Sequence, residues 1–522
     1  MQTTLKAQAM LDGAETGQVD RPPTLTKILA TIGPASESPE MIRRLIRAGV
    51  DTFRFNFSHG TFDEHEKRLA AVRAAADELG YPIGALADLP GPKIRTTLVP
   101  DDGFMLEPGQ DIEIRLGVDE AFVEGSTLVL GCTLDNVVTE TQPGQRVLIN
   151  DGAIRMLAVE RRDDSLRCRV VVGGRVTSKK GINLPETDLS VPALTERDWE
   201  IAEFAFDRGF DFLALSFVSR PDELTQLRDR MWQKAIDAVG RESAGSRFLP
   251  VYAKVEKPQA LACIDDIVEA ADGIMVARGD LGVEMDIASV PVAQKKILEA
   301  CERIGKPSIV ATQMLETMID SAIPTRAEAS DVANAVFDGA DAVMLSGETA
   351  VGKHPGLVVE TMRRIIAFAE AGGAVAHRVS KPPTQFGDRF ELTAALTRSA
   401  SRAAQDLDAA AVACWSEHGG TALYLSQNDF PVPIVAYSSS ERTVRRMTLM
   451  RGVVPVHAEP PAEPGQLAAW NRLVDRDLVT WKIAKAGDWA VLLAGRPLGV
   501  AKRTNTLAVH RVGEEDSGYQ RT

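Results

Sequence analysis

The chain has 522 residues with 59 Lys or Arg and 73 Asp or Glu, so its formal net charge is −14. That charge disfavours a nucleic-acid partner, because a phosphate backbone needs a basic protein face. No apolar run approaches the ~18 residues of a membrane-spanning helix. The five cysteines are scattered and never spaced as Cys-x-x-Cys, which argues against disulfides and a zinc site.

Residues 1–24 lack the continuous apolar core of a signal peptide. We therefore expect a disordered leader on a cytoplasmic protein. The chain is too long for one hydrophobic core, so several domains are predicted.

From residue 25 onward, eight short β-type runs alternate with helical stretches. This alternation favours an α/β fold with a closed (β/α)8 TIM barrel over an open sheet. We assign the barrel to residues 25–96 and 188–370. The runs, in chain order, are "KILATIG", "DTFRFNFS", "PIGALADL", "DFLALSFV", "PVYAKVE", "GIMVARGD", "PSIVATQM" and "AVMLSGET".

Residues 97–187 interrupt the barrel after its third strand and differ in character. Short β runs such as "DIEIRL", "STLVLGC" and "AIRMLAVE" are separated by Gly, Pro and Asp. They predict an inserted small β-barrel domain, placed to act as a lid.

The chain beyond residue 370 begins with a linker-like stretch and then returns to alternation. A helix near 391–407 and the runs "AAVACWS", "VPIVAYS", "VVPVHA", "DWAVLLAG" and "NTLAVHRV" predict a separate three-layer α/β domain within residues 371–522.

The second barrel run, "DTFRFNFSHG", alternates aromatic and polar side chains with a period of two. Its three phenylalanines are predicted to pack under the barrel helices. Arg54, Asn56 and Ser58 then line the mouth, because the carboxyl ends of barrel strands form the active face. The alternative is an edge strand with a solvated face.

The fifth and sixth runs end in a cluster of charged side chains. "VYAKVEKP" places Lys254 and Glu256 on one strand face, and "VARGDLGVE" brings Asp280 to the end of the next strand. Two carboxylates beside a lysine suit Mg²⁺ that shares its remaining positions with substrate oxygens and water. Gly279 exposes amide N–H groups where a short helix begins, which can hold an anion. The alternative is a structural Lys254–Glu256 salt bridge.

The seventh and eighth runs end in Thr312, and in Ser346 and Glu348. Each alone is more often a helix cap or turn residue. Their shared position at the barrel mouth favours a catalytic role. His59 follows the second strand and is either a nucleotide ligand or a turn residue.

With these residues placed, the sequence resembles the pyruvate kinase family over about residues 25–365. The motifs that carry the resemblance occur in the family's order: "TKILATIGPAS", "FNFSHG", "SKKGINLP", "AKVE", "GIMVARGDLGVE", "GKPSIVATQMLETMI" and "PTRAEASDVANAVFDGADAVMLSGETA". The resemblance implies phosphoryl transfer from phosphoenolpyruvate to ADP, followed by protonation of the enolate to pyruvate. It implies Mg²⁺ as cofactor, with Mn²⁺ as an alternative ion.

The resemblance also implies roles for the residues at the mouth. Glu256 and Asp280 would hold the divalent ion, and Lys254 and Arg54 would bind the moving phosphoryl group. The amides of Gly279 and Asp280, with the Thr312 hydroxyl, would hold the substrate carboxylate. The proton-delivery group would be Thr312, connected through water to Ser346 and Glu348. The nucleotide side would comprise Thr31, Pro34, Asn56, His59, Arg95 and Lys180.

The stretch "ADLPGPKIR" departs from the family pattern, which usually has Asp-Thr-Lys-Gly-Pro-Glu-Ile-Arg. In that pattern, oxygens at the positions of Asn56, Ser58, Asp88 and Leu89 bind K⁺. Here Lys93 stands in place of the Glu, and Leu89 lacks a hydroxyl. A tethered ammonium supplies positive charge in or near the monovalent site. We therefore expect an enzyme that does not require K⁺; the alternative is a solvated lysine with K⁺ still bound.

The last domain resembles the family's regulatory domain only loosely. Glu417 and His418 intrude on a loop where relatives hold an effector phosphate, and Lys502 and Arg503 are candidate effector contacts. The effector is left open between a phosphorylated sugar, none, and an unfamiliar one. The resemblance implies a homotetramer. Two alternative functions are a Mg²⁺-dependent barrel lyase or aldolase acting on a keto acid, and a non-catalytic relative that serves as a binding protein.

Overall fold

The computed structural model describes residues 24–100, 102–372, 383, 391–428, 430–462, 466–499, 504–515 and 517–519. The predicted leader, apart from Thr24, lies outside this range, as do Lys502 and Arg503. In the described ranges, no helix is both long enough and apolar enough to span a membrane.

The eight predicted β/α runs form a closed barrel of parallel strands. Neighbouring strands pair in sequence order, and the third strand pairs directly with the fourth although the inserted domain lies between them in sequence. The predicted TIM barrel is therefore confirmed. Its strands are Lys27–Thr31, Thr52–Asn56, Gly84–Leu89, Phe212–Leu215, Val251–Val255, Gly273–Ala277, Ser308–Ala311 and Ala342–Leu345.

The helices around the barrel begin at residues suited to that position. Thr61, Thr195 and Thr325 each form a capping box with an acidic residue three positions later. The helices are Pro39–Ala48, Phe62–Leu79, Glu196–Arg208, Pro221–Val239, Ala244–Arg247, Ile264–Ala270, Arg278–Glu284, Val290–Ile304, Arg326–Phe337, Gly347–Ala350 and Pro355–Ala371. Short 3₁₀ turns cover Pro258–Cys263, Ile287–Ser289 and Glu316–Ile319.

Two apolar layers hold the barrel together. Phe53 and Phe55 are fully buried in the layer between strands and helices, as the period of two predicts. The barrel interior is filled by side chains that include Phe212 and Tyr252. Leu449 of the C-terminal domain joins this interior cluster, so that domain closes the end of the barrel opposite the mouth.

The inserted domain is all β apart from the helix Asn136–Glu140. Seven strands form one sheet, whose two edge strands are Ile182–Asn183 and Phe122–Glu124. The inserted domain is therefore a seven-stranded sheet that is not closed into the predicted small β-barrel. The sheet order is Ile182–Asn183, Arg146–Ile149, Ile154–Arg161, Ser165–Val172, Asp111–Arg115, Thr127–Leu130, Phe122–Glu124, and a separate pair joins Gly174–Val176 to Phe104–Leu106.

The C-terminal domain contains a five-stranded sheet. Four strands are parallel and the last is antiparallel. Separate apolar clusters lie on its two faces, which gives the predicted three layers. The strands are Ala411–Trp415, Ile434–Ser438, Val453–His457, Trp489–Ala494 and Thr506–Arg511; the helices are Glu391–Asp406, Gly420–Ser426, Glu441–Arg446 and Gln466–Thr480, with a 3₁₀ turn at Met447–Leu449.

Candidate active site

Charged side chains from three barrel strands meet at the carboxyl ends of those strands. Lys254 Nζ lies 2.8 Å from Glu256 Oε1 and 3.3 Å from Asp88 Oδ1. Arg54 Nε donates to Asp88 Oδ2 at 2.6 Å and its guanidinium also donates to the Thr31 hydroxyl at 3.1 Å. The structure therefore brings together Arg54 and Lys254, which the sequence placed on separate strands.

Burial and close charges shift the pKa values of this cluster. Burial would lower the pKa of Lys254, but Asp88 and Glu256 outweigh it and raise that pKa. Burial would likewise raise the pKa of Asp88, but Lys254 and Arg54 hold it below its ordinary value. The pKa of Glu256 is raised by burial, and Lys254 does not offset this. The negative charge of Asp280 also raises the pKa of Glu256.

Asp280 lies in the first turn of the helix Arg278–Glu284, which begins directly after the sixth strand. In the preceding position, the Gly279 amide donates to Thr312 Oγ1 at 2.7 Å. Thr312 has a φ of 69°, an unusual backbone conformation for a β-branched residue. Arg278 holds it there by donating to the Thr312 carbonyl at 2.9 Å while pairing with Asp331 at 2.7 Å.

Glu348 is fully buried, and both of its carboxylate oxygens accept backbone hydrogen bonds. The Ser346 amide donates at 2.6 Å and the Leu315 amide at 3.2 Å. Glu348 thus ties together the loops after the seventh and eighth strands. The Ser346 hydroxyl is buried and has no hydrogen-bond partner among the described residues.

Glu256 and Asp280 are the residues predicted to hold a divalent ion. Within the described ranges, no group of three or more His, Cys, Asp or Glu side chains could hold a metal. Burial raises the pKa of the Glu256 carboxyl, and the negative charge of Asp280 raises it further. Two carboxylates at the mouth fit an ion such as Mg²⁺, which usually keeps several positions for water and substrate.

The residues predicted for the nucleotide side belong partly to the barrel and partly to the segment around the inserted domain. Arg95 donates to the Lys179 carbonyl at 3.1 Å, and the Lys180 amide donates to Thr96 Oγ1 at 2.9 Å, where barrel and inserted domain join. Pro34 and His59 are exposed. Thr31 is buried instead, and its hydroxyl donates to the Leu345 carbonyl at 2.9 Å while accepting from Arg54.

At the predicted monovalent site, Asn56 Oδ1 accepts a hydrogen bond from the Ser58 amide at 3.1 Å. Leu89 is fully buried in the apolar layer, and its carbonyl accepts from Ser216 Oγ at 2.7 Å. Lys93 is exposed and makes no ion pair with any described residue. It lines the cleft between barrel and inserted domain together with Asp280.

Sequence reasoning missed the contacts made by the fourth strand end and by the lid. Ser216 Oγ lies 2.8 Å from Lys254 Nζ, and the Phe217 amide donates to Glu256 Oε2 at 2.9 Å. Asn183 of the inserted domain donates to Glu284 Oε1 at 2.8 Å. The serine in "LALSFV" is a polar residue at a strand end, the same signal that identified the other mouth residues.

In the C-terminal domain, the loop after the strand Ala411–Trp415 carries Glu417. Its carboxylate accepts from Trp415 Nε1 at 3.1 Å and from Ser439 Oγ at 2.5 Å. A carboxylate already occupies this loop, and its charge would repel a phosphate.

Comparison with known proteins agrees with this geometry. The family models "Pyruvate kinase, barrel domain" and "Pyruvate kinase, alpha/beta domain" match residues 24–359 and 394–510. The chain is 41% identical to a pyruvate kinase of Corynebacterium glutamicum over 490 residues, which cover 94% of this chain and 98% of the relative. It is 38% identical to pyruvate kinases of Mycobacterium tuberculosis and Methylorubrum extorquens, each over 495 residues covering 94% of this chain and 99% and 98% of those relatives. The chain therefore belongs to the pyruvate kinase family.

Proposed function

We propose that this chain transfers the phosphoryl group of phosphoenolpyruvate to ADP and then protonates the enolate to give pyruvate, as a cytoplasmic glycolytic enzyme. The observation that carries the proposal is the cluster of Lys254, Arg54, Asp88 and Glu256 beside Asp280 at the barrel mouth. Phosphoryl transfer needs positioned cations around a spreading negative charge. Lys254 and Arg54 are held for that task.

Each group at the mouth then has a role. Lys254 and Arg54 bind the phosphoryl group, and the amides of Gly279 and Asp280 with the Thr312 hydroxyl hold the substrate carboxylate. Bound at Glu256 and Asp280, Mg²⁺ would supply charge neutralisation for the phosphate and enolate oxygens. Thr312 delivers the proton, connected through water to Ser346 and Glu348, and the Ser346 hydroxyl supports this because it makes no hydrogen bond to any described residue. Glu348 fixes Ser346 in position.

On the nucleotide side, Pro34, Asn56, His59, Arg95 and Lys180 line the approach of ADP, while Thr31 orients Arg54. The inserted domain closes over the nucleotide and excludes water. The contact of Asn183 with Glu284 supports this, because it joins the lid to the helix that carries Asp280.

A coupled assay that follows pyruvate formation tests the proposal. We expect activity with phosphoenolpyruvate, ADP and Mg²⁺, none after chelation, and recovery with Mg²⁺ or Mn²⁺. Lys254→Met should lower kcat at least 1,000-fold, since it removes a charge from the transition state. Asp280→Asn should raise the Mg²⁺ concentration needed. Protein that is inert, or that cleaves a keto acid instead, would favour the binding-protein or lyase alternative.

We also propose that the enzyme does not require K⁺. The Leu89 side chain has no oxygen and its carbonyl already accepts from Ser216. Asp88 is already compensated by Arg54 and Lys254. The Lys93 ammonium remains available to add positive charge near the mouth.

A K⁺ titration in Na⁺-free Tris buffer tests this directly. Activity should change less than about twofold on adding K⁺. Lys93→Glu with Leu89→Thr should lose activity without K⁺ and regain it with K⁺, whereas Leu89→Thr alone should not. Many-fold activation of the wild-type enzyme by K⁺ would refute the proposal.

A homotetramer is part of the same proposal. Several large apolar side chains between residues 287 and 351 of the barrel are exposed, and covering them in a complex of identical chains would remove apolar surface from water. They are Ile287, Val292, Ile323, Phe337 and Val351. Light scattering should give four times the chain mass of 56.4 kDa.

Because Glu417 fills the C-terminal loop, we expect no activation by phosphorylated sugars in the coupled assay.

A further inference from the structure

The end of the fourth barrel strand contacts two groups that the proposed function requires. Ser216 and Phe217 follow the strand Phe212–Leu215. The Ser216 side chain contacts Lys254, and the Phe217 backbone amide donates to Glu256. A single dipeptide therefore touches both the cation proposed to bind the phosphoryl group and the carboxylate proposed to hold the metal.

The Ser216 hydroxyl has a fixed hydrogen-bonding direction. A serine hydroxyl has one hydrogen and two lone pairs. Its hydrogen goes to the Leu89 carbonyl at 2.7 Å, so a lone pair faces Lys254 Nζ at 2.8 Å. Ser216 is 2% exposed, which leaves water little access to compete for either bond.

Ser216 differs from the other two oxygens around the Lys254 ammonium. Asp88 and Glu256 are carboxylates, which orient the ammonium and also reduce its net charge. A hydroxyl orients it without cancelling the charge that an incoming phosphoryl group needs. When substrate oxygens replace a carboxylate contact, the bond to Ser216 still holds the ammonium in place.

Phe217 is held in an unusual backbone conformation, with a φ of 59°. That conformation is uncommon for a bulky residue and needs support from its surroundings. Gly91 packs directly on the dipeptide: a Cβ there would lie 2.9 Å from the Phe217 ring and 3.3 Å from Ser216 Cβ. The Pro90-Gly91-Pro92 turn thus fits closely against this strand end.

We propose that Ser216 is a positioning residue for phosphoryl transfer. It fixes the Lys254 ammonium, while the adjacent Phe217 amide fixes Glu256, so the fourth strand end sets the spacing of the two groups. This inference rests on the proposed function and adds to it a residue that acts through Lys254.

The test compares Ser216→Ala with Ser216→Thr, which keeps the hydroxyl. Ser216→Ala should lower kcat about 30-fold, with KM for phosphoenolpyruvate and ADP changed less than threefold. Ser216→Thr should recover most of kcat. Ser219→Ala is the matched control, since Ser219 lies on the same loop but bonds Glu223 instead; its kcat should stay within twofold.

A double-mutant comparison separates positioning from a general structural effect. In a Lys254→Met background, Ser216→Ala should lower the residual kcat less than twofold, because its partner is already gone. An equal loss in both backgrounds, or an unchanged kcat in Ser216→Ala, would overturn the inference. A wild-type enzyme inactive with phosphoenolpyruvate, ADP and Mg²⁺ would instead overturn the proposed function.

Discussion

Asn183 of the inserted domain donates a hydrogen bond to Glu284 of the barrel at 2.8 Å. Glu284 lies at the end of the short helix that carries Asp280, and it is 5% exposed. Burial raises its pKa, while the bond from Asn183 acts in the opposite direction. One contact therefore links the inserted domain to the barrel helix that carries Asp280.

Asn183→Ala should lower kcat/KM for ADP about tenfold. A hydrogen bond to a charged group contributes about 1.5–3 kcal/mol, and part of this favours the closed lid. Glu284→Gln should retain most activity because its amide oxygen still accepts. Asn136→Ala is the control, since Asn136 bonds only within the inserted domain and its neighbouring loop. Equal kinetics of the Asn183 and Asn136 variants would contradict the role of this contact.

The pKa of His59 should lie below its ordinary value of 6.5. Partial burial is the largest cause of the lower pKa, and the positive charges of Lys93, Arg95 and Arg54 lower the pKa further. Lys93→Ala should therefore move the pKa upward, and so should added salt in the wild-type protein. NMR titration of labelled histidine rings measures both. Lys67→Ala is the control. A His59 titration midpoint that Lys93→Ala leaves unchanged would show that the Lys93 charge does not act on His59.

Asp211→Ala should destabilise the protein by about 3–5 kcal/mol, because it removes the buried carboxylate that pairs with two half-buried arginines. The Asp211 carboxylate is fully buried and accepts from Arg73 at 2.6 Å and from Arg445 of the C-terminal domain at 3.0 Å. Urea unfolding measures the change. Asp207→Ala is the control, since its ion pair with Lys234 is exposed and worth less than about 1 kcal/mol.

The same variant has a defined pH dependence. Burial opposes ionisation of Asp211, but Arg73 and Arg445 lower its pKa below the ordinary 3.8. Asp211 therefore binds a proton more readily in the unfolded chain than in the folded protein. The stabilisation that ionised Asp211 provides is complete above about pH 4 and is lost as the pH falls through its folded-state pKa. The difference in free energy of unfolding between the wild type and Asp211→Ala should thus be constant from pH 7 to pH 5. A gap that closes within that interval would contradict the assignment.

Thr312→Val should lower kcat at least 100-fold, while Thr312→Ser should stay within about fivefold. Valine keeps the shape but removes the hydroxyl that accepts from Gly279 and is proposed to deliver a proton, a step worth about 10²–10⁴ in rate. The coupled assay measures kcat. Thr317→Val is the control, since that hydroxyl bonds Glu328. A fully active Thr312→Val enzyme would assign proton delivery to another group.

The alternation of β runs and helices predicted the barrel, and the period of two in "DTFRFNFS" predicted which side of the second strand is apolar. Both patterns are local, because side-chain direction follows from backbone repeat alone. Residues such as Lys254, Glu256 and Asp280 could be identified from the same logic. Each is a polar residue at the carboxyl end of a barrel strand.

Which residues touch was decided by tertiary structure. The partners of Lys254 come from the third, fourth and fifth strands, and their separation of up to 166 positions in sequence carries no periodic signal. The burial of Thr31 beneath Arg54 and the contact of Asn183 with Glu284 depend likewise on how barrel and lid meet. Local repeat determines an element and its faces, whereas distances of a few ångströms between side chains follow from packing of the whole chain.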